Sequence, residues 1–481
     1  VIGSAQELKD LGVDVPENLH RPWIDDVVIK KDGKTYKRIP DVLDVWIDSG
    51  TAGWNCYNYP KEKDDYQRYF PADLVLEATE QVRLWFSMLQ MCHHIAFNKP
   101  KEPRTYKNVY MHGMILDYQG TKMSKSLGNI ISPYEVMDKY GADVLRYYMC
   151  SLPAGQNVSF QWDDVDLKYK HIGVLCNITK YLVDYCTTND ITIATPEPVD
   201  VEEQHILSLL NSTIADVQTL LDTYHIDEAA NKVEQLFLTL SRTYMQLTRD
   251  KAQTGNKQNI ASTIAHTLIT SLKMFSIYCP FVSEHLYQQL APIIKTKQSI
   301  HLEAFPVADA SLINQELEQH METAQSLIQS ILAAREKARI NVRWPVKQVV
   351  IDATQEQEDA LRHLGDVIKK HTNVKEINID HEFKQVTYTI KPNYKQLSQR
   401  HGKETGQVGQ TISQFDQPTI KKIAKGLRSS GRVSISNLEI HSNDVEIAIE
   451  ADDPFVGDDF VYLDTTRTQQ LDQEGYAREM I

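Results

Sequence analysis

A chain of 481 residues is too long for one ordinary core, so roughly three or four domains are expected to follow one another along it. Hydrophobic residues make up 42% and charged residues 24%, and no apolar run approaches the length of a membrane span, so no membrane role is indicated. The net charge of -14 argues against a chain that is nucleic-acid-binding throughout, and the six scattered cysteines, with no Cys-x-x-Cys pair, suggest neither a zinc knuckle nor a disulfide framework and fit a reducing cytosol.

Neither end reads as a natural terminus. The chain opens on Val1-Ile2-Gly3-Ser4 without a methionine or a signal peptide and closes inside a helix-like run from Glu474 to Ile481, so it is read as a fragment. Residues 1–161 alternate short apolar runs with helical patterns: Asp73 to Glu77 predicts a strand and Gln81 to His94 the helix after it, the rhythm of an α/β sheet. Residues 162–340 carry apolar positions at steps of three and four, Ile206, Leu210, Ile214, Val217, Leu221 and Tyr224 among them, which predicts an all-α bundle. Residues 341–481 turn to short Val-rich runs at 346–351, 374–379, 386–390, 433–440 and 445–449 around helix-like segments, a small α+β domain. Two stretches break the acidic background: Arg335, Lys337, Arg339, Arg343 and Lys347, then Lys421, Lys422, Lys425, Arg428 and Arg432. Both are placed to touch a polyanion.

The densest chemistry lies between His112 and Met149. Gly113 and Gly120 flank Met114 to Tyr118, a strand entering a turn, and Lys122-Met123-Ser124-Lys125-Ser126 follows. Ser132, Pro133 and Glu135 then predict a capping box and a helix start, so the loop is held at both ends. Two lysines on a short loop describe a solvated surface turn, or a pair of cations set to meet the triphosphate of ATP as charge develops on departing pyrophosphate. The string Lys122 to Asn129, with Tyr140 to Arg146 after it, resembles the signature loop of class I aminoacyl-tRNA synthetases. The resemblance implies the C-terminal half of a Rossmann-like nucleotide fold, with Lys122, Ser124 and Lys125 catalytic and Lys125, Gly113 and Met114 at ATP. The family's other signature, His-x-Gly-His, does not occur in the chain.

Phe70 to Phe86 resembles the segment that holds the aminoacyl-adenylate in isoleucyl-tRNA synthetases. That implies that Glu77 receives the amino-acid ammonium, Gln81 adds polar contacts and Trp85 walls the aliphatic pocket. By themselves Glu77 equally caps the next helix and Trp85 equally packs a core. Ala78 and Leu84 stand where the family commonly has glycine, and Glu80 where aspartate is usual, which would narrow the pocket. Leu19 to Asp25 and Arg38 to Gly50 also resemble isoleucyl strings. Editing in the family belongs to an inserted domain, and residues 1–26 resemble the chain just after it, so no editing residue is assigned.

Position and local strings, Ala333 to Pro345 among them, make 162–340 resemble the family's anticodon-binding domain. Arg335 and Arg339 are four apart, expected on one helix face where they grip phosphates, while Arg343 and Trp344 offer guanidinium and stacking contacts. A solvated helix face with Trp344 packed in a domain joint describes the same residues. The resemblance as a whole implies a cytoplasmic, monomeric isoleucine–tRNA ligase. It would take isoleucine, ATP with Mg2+ as substrate, and tRNA(Ile), with no resident metal and no zinc module in these residues. Valyl or leucyl enzymes, or a tRNA-binding protein without catalysis, are the other readings. Lacking the His-x-Gly-His half, the 481 residues alone are expected to be inactive.

Overall fold

A computed structural model describes residues 1–97, 102–435, 438–458 and 460–480. The chain packs as two units, Val1–Ile131 with Leu152–Gln161, and Ser132–Ser151 with Trp162–Ile481. The segment 132–151, placed with the first domain on sequence, thus packs with the helices that follow it.

In the first unit the strand Ala72–Ala78 runs parallel to Tyr106–His112, with Glu77 opposite Met111 and Ala78 opposite His112. Parallel strands need a crossover, and the helix Trp85–Phe97 supplies it. Val75, Phe86 and Leu89 form the core beneath. The helix starts at Trp85, not Gln81, because Thr79–Arg83 winds as a 3-10 turn and the Gln81 Oε1 accepts the Trp85 amide at 3.1 Å, satisfying an N–H that the helix itself leaves open. The short helix Val45–Gly50 lies against this crossover. Its contact depends on Gly50: a Cβ there would sit 2.8 Å from the Cys92 Sγ and 3.0 Å from the Met88 carbonyl oxygen. Two short parallel strands, Ile115–Leu116 and Val158–Ser159, close the unit.

In the second unit the helices Pro133–Tyr140, Ala142–Cys150, Trp162–Asn189, Val201–Asp222, Ile226–Thr239, Lys257–Phe275, Pro280–Gln289 and Gln315–Lys337 form the bundle. Ser132 caps the first through Tyr134 N at 3.3 Å, with Pro133 in the first turn; the bond is to Tyr134 rather than to the Glu135 amide that a capping box would use. Ile206, Leu210, Val217, Val233, Leu236 and Phe237 are buried, as their helical spacing predicts. Several polar groups inside are paired. Lys168 donates to Glu234 at 2.6 Å, Tyr147 also donates to it, and His171 lies 3.2 Å away. Burial pushes the Glu234 carboxyl up, but these partners outweigh it and hold it below the usual range. The acidic trio Asp200, Glu202 and Glu203 is likewise occupied: Lys251 bonds Asp200 and Glu202, each at 2.8 Å, and Tyr244 donates to Glu203 at 2.9 Å.

The residues after Pro345 form a four-stranded sheet in the order Phe455–Asp458, Val461–Asp464, Val346–Ile351, Val374–Ile379, plus the antiparallel pair Val386–Pro392 with Val445–Ala451. Val346–Ile351 and Val374–Ile379 are parallel, joined by the helix Gln355–Thr372, whose end is turned by Asn373 at φ +48. The predicted run 433–440 is the hairpin Arg432–Ile435 and Leu438–His441. Leu327 and Ile331 of the last bundle helix share one core with Val349, Ile351, Leu364 and Leu463, so bundle and sheet are continuous. No described helix is long and apolar enough to cross a membrane.

Candidate active site and nucleic-acid interface

The C-terminal edge of the parallel strands is where an open α/β sheet accepts ligands. Glu77 is the penultimate residue of one strand and is exposed; the other strand runs out through His112 into Gly113 and Met114. Gly113 is dictated by its neighbour, since a Cβ would fall 1.7 Å from the Gln156 carbonyl oxygen. The Asn157 Oδ1 then accepts the Met114 amide at 2.8 Å and steers the chain into the Ile115–Leu116 strand, across from which Lys122 bridges Leu116.

The lysine loop that follows is built around two side chains that sequence reasoning passed over. Asp117, 5% exposed, accepts the amides of Gln119 at 2.9 Å and Thr121 at 2.8 Å through Oδ1, and the Asn129 side-chain amide at 2.8 Å through Oδ2. The Asn129 bond first, then the Thr121 amide, hold the Asp117 carboxyl below its usual range. The Asn129 Oδ1 in turn accepts the Ser124 amide at 2.9 Å, between the two lysines, and its Nδ2 also reaches the Lys122 carbonyl at 3.3 Å. Further along, the Ser124 Oγ accepts from Leu127 N at 3.3 Å, and Gly128 at φ +66 turns the chain back. Lys122 and Lys125 are exposed, and among the described residues no carboxylate pairs with either ammonium. The arrangement presents two free cations on a backbone that is fixed from behind.

On the amino-acid side the structure brings Gln81 and Trp85 together. The indole Nε1 of Trp85 donates to the Ser49 carbonyl at 3.0 Å, so the residue is held at its backbone amide by Gln81 and at its ring by Ser49. Trp85 is half-buried, Glu77 and Glu80 are exposed, and Leu84 is 36% exposed, whereas the Ala78 methyl is buried.

The basic stretches are rearranged relative to expectation. Arg335 is 1% exposed, and its guanidinium donates to the carbonyls of Asn341 at 3.2 Å, Trp344 at 3.0 Å and Asn373 at 2.7 Å. Burial, with the charge of Arg467, pushes it down to about 10, still protonated at neutral pH. It is a strut between helix, loop and strand, with no face left for a phosphate. Nor does it share a helix face with Arg339: the helix ends at Lys337, and Arg339 stands in the left-handed region at φ +57, exposed. Arg343 is exposed and pairs with Glu479 at 3.1 Å. Trp344 packs edge-on to Tyr476 at 5.0 Å, under the Arg467 guanidinium and against Gly475, where a Cβ would fall 2.3 Å from the indole. In the second stretch Lys425 pairs with Asp352 at 2.7 Å, Lys421 donates to the His381 carbonyl at 3.2 Å, and Arg428 donates to the Asp352 carbonyl and lies over Phe460. Lys422 is exposed. Much of this charge holds the domain together.

A family model described as tRNA synthetases class I (I, L, M and V) matches residues 5–161, and one described as the anticodon-binding domain of tRNA ligase matches residues 203–351. The isoleucine–tRNA ligase of Thermococcus kodakarensis is 32% identical over 481 residues, which take in 97% of this chain and 44% of that protein. That of Clostridium acetobutylicum is 32% identical over 505 residues, covering 100% of this chain and 48% of the relative. The chain therefore spans somewhat under half the length of the curated relatives it matches. In fold, it resembles the crystal structure of the ternary complex of Agrobacterium radiobacter K84 agnB2 LeuRS with tRNA and LeuAMS. There the TM-score is 0.50 at 19% identity, covering 61% of this chain and 36% of that one.

Proposed function

The chain belongs to the class I aminoacyl-tRNA synthetases, and from that premise we propose that it is the adenylate- and tRNA-handling part of an isoleucine–tRNA ligase. The observation that carries the reading is the lysine loop, held from behind by Asp117 and Asn129 so that Lys122 and Lys125 stay free. The relatives named isoleucine–tRNA ligase, similar along almost the whole chain, support the choice of amino acid.

The carboxylate of isoleucine attacks the α-phosphorus of ATP, supplied with Mg2+ as substrate, and pyrophosphate leaves. Lys122 and Lys125 oppose the charge that builds on the leaving group, and Ser124 fixes the turn between them. Gly113 and Met114 stand at the strand end beside the nucleotide, the Met114 N–H being held by Asn157. Glu77 takes the isoleucine ammonium, Gln81 adds a polar contact, and the Trp85 indole forms a flat wall for the branched side chain. A hydroxyl of the tRNA 3′-terminal ribose then attacks the acyl carbon and AMP departs. No covalent enzyme intermediate enters, so positioning and electrostatics carry the first step. The helical bundle receives tRNA, with the exposed Arg339 and Arg343 just beyond its last helix as contacts retained from the first basic stretch, while Trp344 serves packing.

Charging tests the reading. The natural gene product that contains this sequence is expected to join labelled isoleucine to tRNA(Ile), with release of AMP. Charging with leucine or valine in preference, or tRNA retention without any charging, would replace it by one of the other readings. The 481 residues alone, with the lysine side of the ATP site, are expected to retain tRNA without charging it.

A further inference from the structure

Each single hydrogen bond in the lysine loop is ordinary, but their connectivity is not. Asp117 precedes the two lysines and Asn129 follows them, twelve residues apart, yet the carboxylate and the amide are bonded directly at 2.8 Å. The same amide is bonded to backbone on the inner side of each lysine, at the Lys122 carbonyl and the Ser124 N–H. Asn129 is thus the common partner of the loop's entry and its centre. A loop this exposed otherwise samples many backbone states, and ordering each residue carries an entropic cost.

We infer that Asp117 and Asn129 are positioning residues for the phosphate-handling lysines, acting through the loop backbone and not on the ligand. The inference rests on the reading of Lys122 and Lys125 given above. Its physical content is a polarity requirement: position 117 must accept from two backbone amides and from position 129, while position 129 must donate to 117 and accept from Ser124 N.

That requirement yields a charge-conserving exchange. Asn129→Asp alone sets carboxylate against carboxylate. Asp117→Asn alone sets a donor against a donor whichever way its amide turns, facing either Asn129 Nδ2 or the Thr121 amide. In the double variant the amide stands at 117 and donates to a carboxylate at 129, whose second oxygen still accepts Ser124 N; only the long 3.3 Å bond to the Lys122 carbonyl is lost.

The test is isoleucine-dependent ATP–pyrophosphate exchange by the natural gene product. Each single variant is expected to lower kcat about tenfold to a hundredfold, with the isoleucine KM little changed and the ATP KM raised. The double variant is expected to recover at least half of that loss on a logarithmic scale. Singles within twofold of the parent, or a double variant no better than the worse single, would overturn the inference. Lys125→Ala is measured alongside: if it keeps near-parental exchange, the reading of the loop fails, and if it alone is inactive while the bracket variants are normal, only the bracket fails. A melting curve for each variant separates loss of loop order from loss of fold, and the double variant keeps the test decisive if a single one unfolds.

Discussion

Lys125→Ala in the natural gene product lowers isoleucine-dependent pyrophosphate exchange by about a hundredfold or more. The ammonium is exposed and has no carboxylate partner among the described residues, so its removal disrupts no folded contact and melting is expected to be unchanged. Its whole effect is on charge that grows between ground state and transition state. The loss should therefore fall mainly on kcat, with a smaller rise in the ATP KM. Lys125→Arg keeps the charge but replaces a compact point donor with a planar fork, and is expected to recover only part of the rate. Near-normal exchange by Lys125→Ala would remove this lysine from the mechanism.

Arg335→Ala produces the opposite pattern, a large loss of stability. Three carbonyls lose the Arg335 guanidinium, those of Asn341 and Asn373 keeping only the amides of Trp344 and Val346, and at about 1 kcal/mol for each bond, with a cavity added, about 3–5 kcal/mol is expected. Arg335→Lys does not rescue it, because one ammonium cannot reach three carbonyls spread around a guanidinium. Arg339→Ala, at an exposed position beyond the helix end, leaves the free energy of unfolding within about 0.5 kcal/mol of the parent and weakens tRNA binding instead. Denaturant unfolding of the three variants, beside a tRNA filter-binding measurement, separates strut from contact. If Arg335→Ala is as stable as the parent and binds tRNA poorly, the assignment of the strut is wrong.

Different kinds of signal carried different parts of this protein. Helical spacing located the buried faces of the bundle, Ile206, Leu210 and Val217 among them, because period alone decides which side of a helix meets a core. The Val-rich runs after Pro345 located strands, but not the order in which they pair: Val461–Asp464 lies beside Val346–Ile351 across more than a hundred residues, and nothing local encodes that. The loop lysines were legible as a string, while their bracket was not. An aspartate two residues before a backbone amide and three before a glycine is a recognisable turn signal, so Asp117 was within reach. Its bond to Asn129 depends on the loop closing. Arg335 was misread for a related reason: four-residue spacing promises a shared face only while the helix continues, and this one stops at Lys337. A charge counted along the chain says nothing of whether carbonyls wait for it in the fold.

Activation of isoleucine by the loop together with the Glu77–Gln81–Trp85 segment is the central proposal. Pyrophosphate exchange by the natural gene product, run with isoleucine, valine, leucine and methionine in turn, tests it most directly. The expected result is the highest kcat/KM with isoleucine, valine lower, and leucine and methionine far below both, the order falling away when Trp85 is replaced by alanine. Leucine or methionine preferred over isoleucine, or no exchange with any of the four, would contradict it.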